Sequence, residues 1–272
     1  MNEDTATVRM RGLAAACVLA MLVVIGASAW LRLSQPRPPC ADWPACRVAA
    51  WQALPMAVPG AAIPAEAVVR GLHRGAASAT LLMLLALLVD AWRRRPRRDG
   101  VLPIVVALLA LALGLSALGI AGAGSRAGPV VLGNLLGGFA MTALSWTLVR
   151  RLGHAGPAAP GVRHGALLVA LLWAVQAALG GASGLGAAGT VVPLLHALLG
   201  FAAATAALLL GLVLRRSPQR AEGRGLVALA SLQLLLGVVA GTHGAPPPLV
   251  LLHNALAAAG LALCCGLALA RR

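Results

Sequence analysis

The sequence predicts an all-α integral membrane protein, with eight transmembrane helices arranged as two tandem pseudo-repeated four-helix bundles. Three observations carry that prediction. Of the 272 residues, 60% are hydrophobic and 11% charged, where soluble domains carry about 25% charge. Apolar runs long enough to span about 30 Å of hydrocarbon as helices recur eight times. The second half of the chain also repeats polar positions of the first.

The eight runs fall at 12–33, 71–92, 101–122, 130–149, 165–186, 191–214, 225–242 and 248–270. Several contain glycine, which membrane helices tolerate because neighbouring helices re-satisfy the backbone. All 22 basic residues are arginine, and the formal net charge is +15. In a soluble chain that balance points to nucleic acid. Here the arginines sit between apolar runs, where they set orientation instead, and a nucleic-acid partner is excluded.

Arginine placement fixes the expected topology. One set comprises Arg9 and Arg11, then Arg93, Arg94, Arg95, Arg97 and Arg98, then Arg150, Arg151 and Arg163. The set continues with Arg215, Arg216, Arg220 and Arg224 and ends in Arg271 and Arg272. The opposite loops hold Arg37, Arg47 and Arg126, with Arg70 at a helix mouth: sixteen against about four. By the positive-inside rule both termini are cytoplasmic, in a multi-pass protein of a bacterial inner (cytoplasmic) membrane. Arg9, Arg11, the apolar run and Ala27-Ser28-Ala29 also resemble a cleavable secretory signal. The run is long for a signal core, and eight spans fit the arginine pattern, which favours an uncleaved anchor.

The first loop, PPCADWPACR (38–47), carries Cys40 and Cys46. Facing outward it lies in an oxidising space, which favours a disulfide over two unrelated thiols. Cys17, Cys264 and Cys265 fall inside apolar runs and read as ordinary buried thiols.

The two halves repeat each other in segments, the first of them without gaps. LHRGAASATLLMLLALL (72–88) lies over LHALLGFAAATAALLLG (195–211), pairing His73 with His196. PVVLGNLLGGFA (129–140) lies over PLVLLHNALAAAG (248–260), pairing Asn134 with His253. The division expected is residues 1–150 and 151–272, each a four-helix bundle.

Of six histidines, His154 and His164 lie in the arginine-rich connection after the fourth run, and His243 in the outer loop GTHGAPPP. These read as solvated. His73, His196 and His253 each sit a few residues inside the outer end of an even-numbered run. An ionisable residue at membrane depth is costly and marks function by default. The bland reading is a hydrogen bond to a neighbouring helix, worth roughly 0.6 kcal/mol. Three at equivalent depth and related by the repeat are better explained as ligands. Alanine and glycine follow His196 and His253 and leave a flat slot. Haem iron takes axial imidazole on both faces, whereas catalytic zinc wants a third protein ligand, usually with a carboxylate nearby. No carboxylate accompanies this pair, so haem is the better reading.

On these residues the chain resembles the haem A synthase family, eight-helix membrane enzymes that oxidise haem O to haem A for cytochrome oxidase. LRLSQPRPPCADWPAC (31–46) is similar to the family's Arg-Leu-Thr/Ser, short linker and Cys-Pro-Asp-Trp-Pro-x-Cys. His73-Arg74 resembles the His-Arg that opens helix 2, NLLGGF (134–139) the His-Leu-Leu-Gly-Gly-Phe of helix 4, and HNALAA (253–258) the histidine motif of helix 8. The resemblance covers essentially the whole chain, and the loop and helix 8 motifs are the specific ones.

It implies a haem b cofactor held by His196 and His253 in the carboxy-terminal half, with substrate haem O in the other. His73 would belong to that substrate half as a further iron ligand, and Arg74 would meet a haem propionate through a charge-assisted bond. Cys40 and Cys46 would form the outer-loop pair that shapes a lid over the substrate half, a pair linked to activity in the family. Haem O synthase and cytochrome oxidase assembly factors are the implied partners besides membrane lipid, with a homo-oligomer left open.

Two positions depart from the family pattern. Arg70 stands where the family has the glutamate of Glu-x-x-His-Arg, and Asn134 where it has the helix 4 histidine. Glu66, one turn further upstream, is the remaining candidate acid. Both departures fall in the substrate half. The alternative is therefore a catalytically impaired haem-binding paralogue acting in electron transfer, haem handling or oxidase assembly. A repeat-built transporter is a third class, disfavoured because Asp90 is almost the only intramembrane acid.

Overall fold

The computed structural model describes residues 5–34, 64–93, 100–122, 127–153, 156, 158–185, 189–243 and 245–269. Its helices are α1 (Thr5–Leu33), α2 (Ala65–Arg93), α3 (Val101–Ala121), α4 (Gly128–Leu152), α5 (Pro160–Ser183), α6 (Val191–Leu214), α7 (Arg220–His243) and α8 (Pro247–Leu269). All eight are long and apolar enough to cross a membrane, and the described residues contain no strand.

Several helices begin earlier than the apolar runs predict. α1 starts at residue 5 rather than 12, α2 at 65 rather than 71, and α5 and α7 at 160 and 220 rather than 165 and 225. The reason is physical: apolarity stops where water begins, but backbone hydrogen bonding does not. Arginine and glutamate are good helix formers, so Arg9, Arg11, Glu66, Arg70, Arg163, Arg220, Glu222 and Arg224 extend the helices as polar turns. Pro129 and Pro160 sit in the first turns of α4 and α5, where a missing N–H costs nothing.

Consecutive helices pack against one another within each half and close into rings. α1 meets α2 and α4, and α3 meets the same two; likewise α5 meets α6 and α8, and α7 meets those two. The rings join mainly through α4 against α8, flanked by α1 on α8 and α4 on α5. Diagonal helices, α2 with α4 and α6 with α8, face each other across each ring without backbone contact.

One end of the molecule gathers the arginines and is cross-tied. Arg9 Nε donates to Asp90 Oδ2 at 3.0 Å, linking α1 to α2 and pairing the acid that stood out in the sequence. Arg150, with a side chain 6% exposed, pairs with Glu222 and ties α4 to α7. Arg151 Nη2 donates to the Leu269 carbonyl at 2.9 Å and Arg163 Nε to the Ala268 carbonyl at 3.3 Å. Both cap the last carbonyls of α8, where cations also meet the negative end of the helix dipole. Gly266 makes the Arg150 path possible: a Cβ there would lie 2.6 Å from Arg150 Cδ and 2.7 Å from Trp146 Cδ1.

Burial is uneven along the helices. Only α1 and α4 are buried along most of their lengths. In α2 the buried positions are Thr80, Leu84, Leu87 and Ala91, in α7 Gly223, Leu226 and Ala230, and in α8 they begin at Ala257. α3, α5 and α6 follow the same rule. Among the described residues the arginine-rich end is therefore packed like a core and the far end is open. Gly71, Gly75, Gly114, Gly119 and Gly241 lie toward that far end, and a Cβ on any of them would meet nothing within 4 Å. Small residues there leave space that no side chain of the described chain fills.

Candidate functional site

His196 on α6 and His253 on α8 lie in the open half of the second ring. Their ring centroids are 6.3 Å apart with planes at 71°. Because α6 and α8 are diagonal, the rings meet across the bundle axis rather than along a helix seam.

Each imidazole is held by a glutamine from the preceding helix. His196 Nδ1 lies 3.1 Å from the Gln176 carbonyl, and Gln176 Nε2 donates to the His196 carbonyl at 2.5 Å. A carbonyl only accepts, so Nδ1 carries the proton and Nε2 holds the lone pair. Gln233 Nε2 lies 3.0 Å from His253 Nε2, donating to its lone pair. His253 Nδ1, Gln233 Oε1 and Gln176 Oε1 are buried without a hydrogen-bond partner. Unmet buried polar atoms cost about 1–3 kcal/mol each, so the cluster is polar beyond what its own bonds need.

Glycine makes room for it. A Cβ at Gly180 would lie 2.8 Å from His196 Cε1, and one at Gly200 would lie 2.7 Å from Gln176 Nε2. His196 thus packs over a glycine of α5, and Gln176 over a glycine of α6. Gly237 stands off from His253 Cε1 by 4.0 Å at its would-be Cβ.

The residues present fit a bis-imidazole haem. With a ligating nitrogen about 2 Å from a metal and the ring centre about 1 Å behind it, two opposed axial imidazoles have centres about 6 Å apart. The 6.3 Å between ring centres has that spacing, and the Gln176 carbonyl that accepts from His196 Nδ1 is the usual kind of outer partner of a ligating imidazole. Among the described residues no group of three or more His, Cys, Asp or Glu side chains gathers to hold a bare metal ion.

The first ring differs. His73 lies two turns inside α2 because the helix starts at Ala65, deeper than the apolar run predicts. Arg32, Arg70 and Arg74 all bear on it electrostatically, and Arg32 Nη1 is held by Ser28 Oγ at 2.8 Å. Glu66 is helical and seven residues before His73, hence on the same face. Its carboxylate pairs with Arg70, so the arginine does not simply reverse the local charge. Asn134 Nδ2 donates to the Val130 carbonyl of its own helix at 2.9 Å.

The remaining sequence-marked residues take no part. His164 is exposed on the first turn of α5 rather than in a loop, and His243 is exposed at the end of α7, 2.7 Å from Thr242 Oγ1. Cys17 and Cys264 are buried thiols and Cys265 is half-buried. Cys40, Cys46 and His154 lie outside the described residues.

Sequence reasoning passed over Gln176 and Gln233. The available signal was spacing: Gln-x3-Gly-x15-His occurs at 176–196 and again at 233–253. No protein-family model matches the chain, and none of the curated proteins matches it.

Proposed function

We propose that this chain is a haem A synthase-like membrane oxidoreductase that converts haem O to haem A. The observation that carries the reading is the His196–His253 pair, 6.3 Å between ring centres and cradled by glycine. A haem b held there by His196 and His253 would supply one-electron redox chemistry. The chain's own contribution is to present the Nε2 lone pair of His196, with its tautomer fixed by the Gln176 carbonyl, to bring His253 opposite with its Nε2 held by the Gln233 amide, and to keep the site in an apolar surround. His73, Arg74 and Arg70 would line the substrate half, with the arginines meeting carboxylate groups of haem O and Glu66 the candidate acid. In this reading the two rings are pseudo-repeated bundles, residues 1–150 and 151–272, in a bacterial inner membrane with both termini cytoplasmic. Haem O synthase and oxidase assembly factors are the expected partners.

A second reading draws on Asn134 and Arg70. An amide turned onto its own helix is a poor iron ligand, and a Glu66 committed to an arginine is a poor proton acceptor. These favour a haem-binding paralogue with an impaired substrate half.

Co-expression with a haem O synthase, followed by chromatography of extracted haems, separates the two. Haem A above the vector control is the expected result. Haem O alone, with haem b still bound to the protein, selects the paralogue.

A further inference from the structure

The two hairpins of the second ring carry matching positions 57 residues apart (176 and 233, 180 and 237, 196 and 253, 200 and 257). Three of the pairs are identical: Gln176 and Gln233, Gly180 and Gly237, His196 and His253. The fourth sets Gly200 against Ala257, and there the bonding diverges.

Over Gly200, the amide of Gln176 reaches the backbone carbonyl of His196 at 2.5 Å and leaves the ring Nε2 alone. A Cβ at residue 200 would stand 2.7 Å from that amide nitrogen and close the route. Ala257 is buried and carries that Cβ. In the matching hairpin the amide of Gln233 goes instead to the ring, 3.0 Å from His253 Nε2. His253 Nδ1 and Gln233 Oε1 are left buried without partners.

We infer that Gln233 is a displaceable cap on the lone pair of His253, imposed by the Ala257 methyl, while Gly200 leaves His196 open. The inference rests on the proposed reading of the two histidines as haem ligands. It makes loading ordered. His196 ligates first, because its lone pair is free; His253 ligates after the Gln233 amide swings away. The exchange gives up one N–H···N bond for one nitrogen–iron bond. No proton or electron moves, since Nε2 already bears the lone pair. The two unpartnered atoms keep the capped state from being deep, so the cap slows ligation without preventing it.

The test is stopped-flow mixing of haem-depleted, detergent-solubilised full-length protein with haem b, following the high-spin to low-spin change. Wild type should show two phases. Ala257→Gly and Gln233→Leu, which remove the cap by independent routes, should each speed the second phase about tenfold. Gly200→Ala should slow the first phase by diverting Gln176 onto His196. Gln233→Glu keeps the shape but accepts from a protonated ring nitrogen, and should slow the second phase. If wild type becomes low-spin but neither Ala257→Gly nor Gln233→Leu speeds the conversion, the cap is refuted and the histidine pair stands. A wild-type protein that never becomes low-spin overturns the histidine-pair reading, and the cap with it.

Discussion

Asn134 on α4 and His253 on α8 occupy positions that the sequence pairs, at the open end of their respective rings, yet they behave differently. His253 reaches across its ring to stand 6.3 Å from His196, centre to centre. Asn134 returns its amide to the Val130 carbonyl one turn back. The position twenty residues before His253 is Gln233, which holds the ring; twenty before Asn134 it is Gly114, which holds nothing. In the proposed reading the second ring has a ligand pair, with Gln176 orienting His196 and Gln233 holding His253. The first has open space and a cationic mouth around His73 but, among the described residues, lacks an orienting layer on α3 and α4. A ligand site needs that layer as well as a slot.

The largest effect expected from this contrast comes from removing either imidazole. His196→Ala or His253→Ala should each abolish most of the bound haem b, read as the absorbance of the purified protein, since each supplies one face of the iron. Wild-type spectra from both variants would place the cofactor elsewhere.

Rebuilding the first ring should work in the opposite direction. Its haem should be weakly held, five-coordinate, high-spin and accessible to carbon monoxide, because His73 alone is expected to face the slot. Arg70→Glu together with Asn134→His should raise haem content and shift it toward low spin. If wild type already makes haem A and the double substitution changes neither yield nor spectrum, the two departures are harmless.

Crowding is a gentler probe. Gly180→Val places a side chain where even a Cβ would lie 2.8 Å from His196 Cε1, and should weaken haem b binding about tenfold in a titration. Gly137→Ala in the first ring meets only the movable end of Leu115, 2.4 Å from the would-be Cβ. It should leave that affinity unchanged.

The smallest effects concern the ties at the arginine-rich end. Glu222→Ala strands Arg150, whose side chain is 6% exposed, and should cost about 3 kcal/mol in detergent unfolding. Asp90→Ala breaks a pair whose arginine side chain is 63% exposed, and should cost at most about 1 kcal/mol. Neither should alter the haem spectrum.

Much of this was legible in the sequence. Eight apolar runs gave eight helices because length and apolarity suffice for a span. The ends were misplaced because arginine and glutamate turns continue a helix past the apolar boundary, as Glu66 and Arg70 do in α2. His196 and His253 stood out because an ionisable group is costly in an apolar run. Gln176 and Gln233 did not, since a neutral amide raises no such alarm and its role depends on a partner twenty residues away. That Ala257 and Gly200 steer those amides differently is a matter of ångströms, visible only once the helices are packed.

The central claim is that the second ring holds one haem b between His196 and His253. Low-temperature electron paramagnetic resonance on the purified oxidised protein, with haem quantified on the same sample, tests it most directly. The account predicts a low-spin, bis-imidazole ferric signal at about one haem b per chain, lost in His196→Ala and His253→Ala. A haem-free protein, or one whose only haem is high-spin and indifferent to both substitutions, would contradict it.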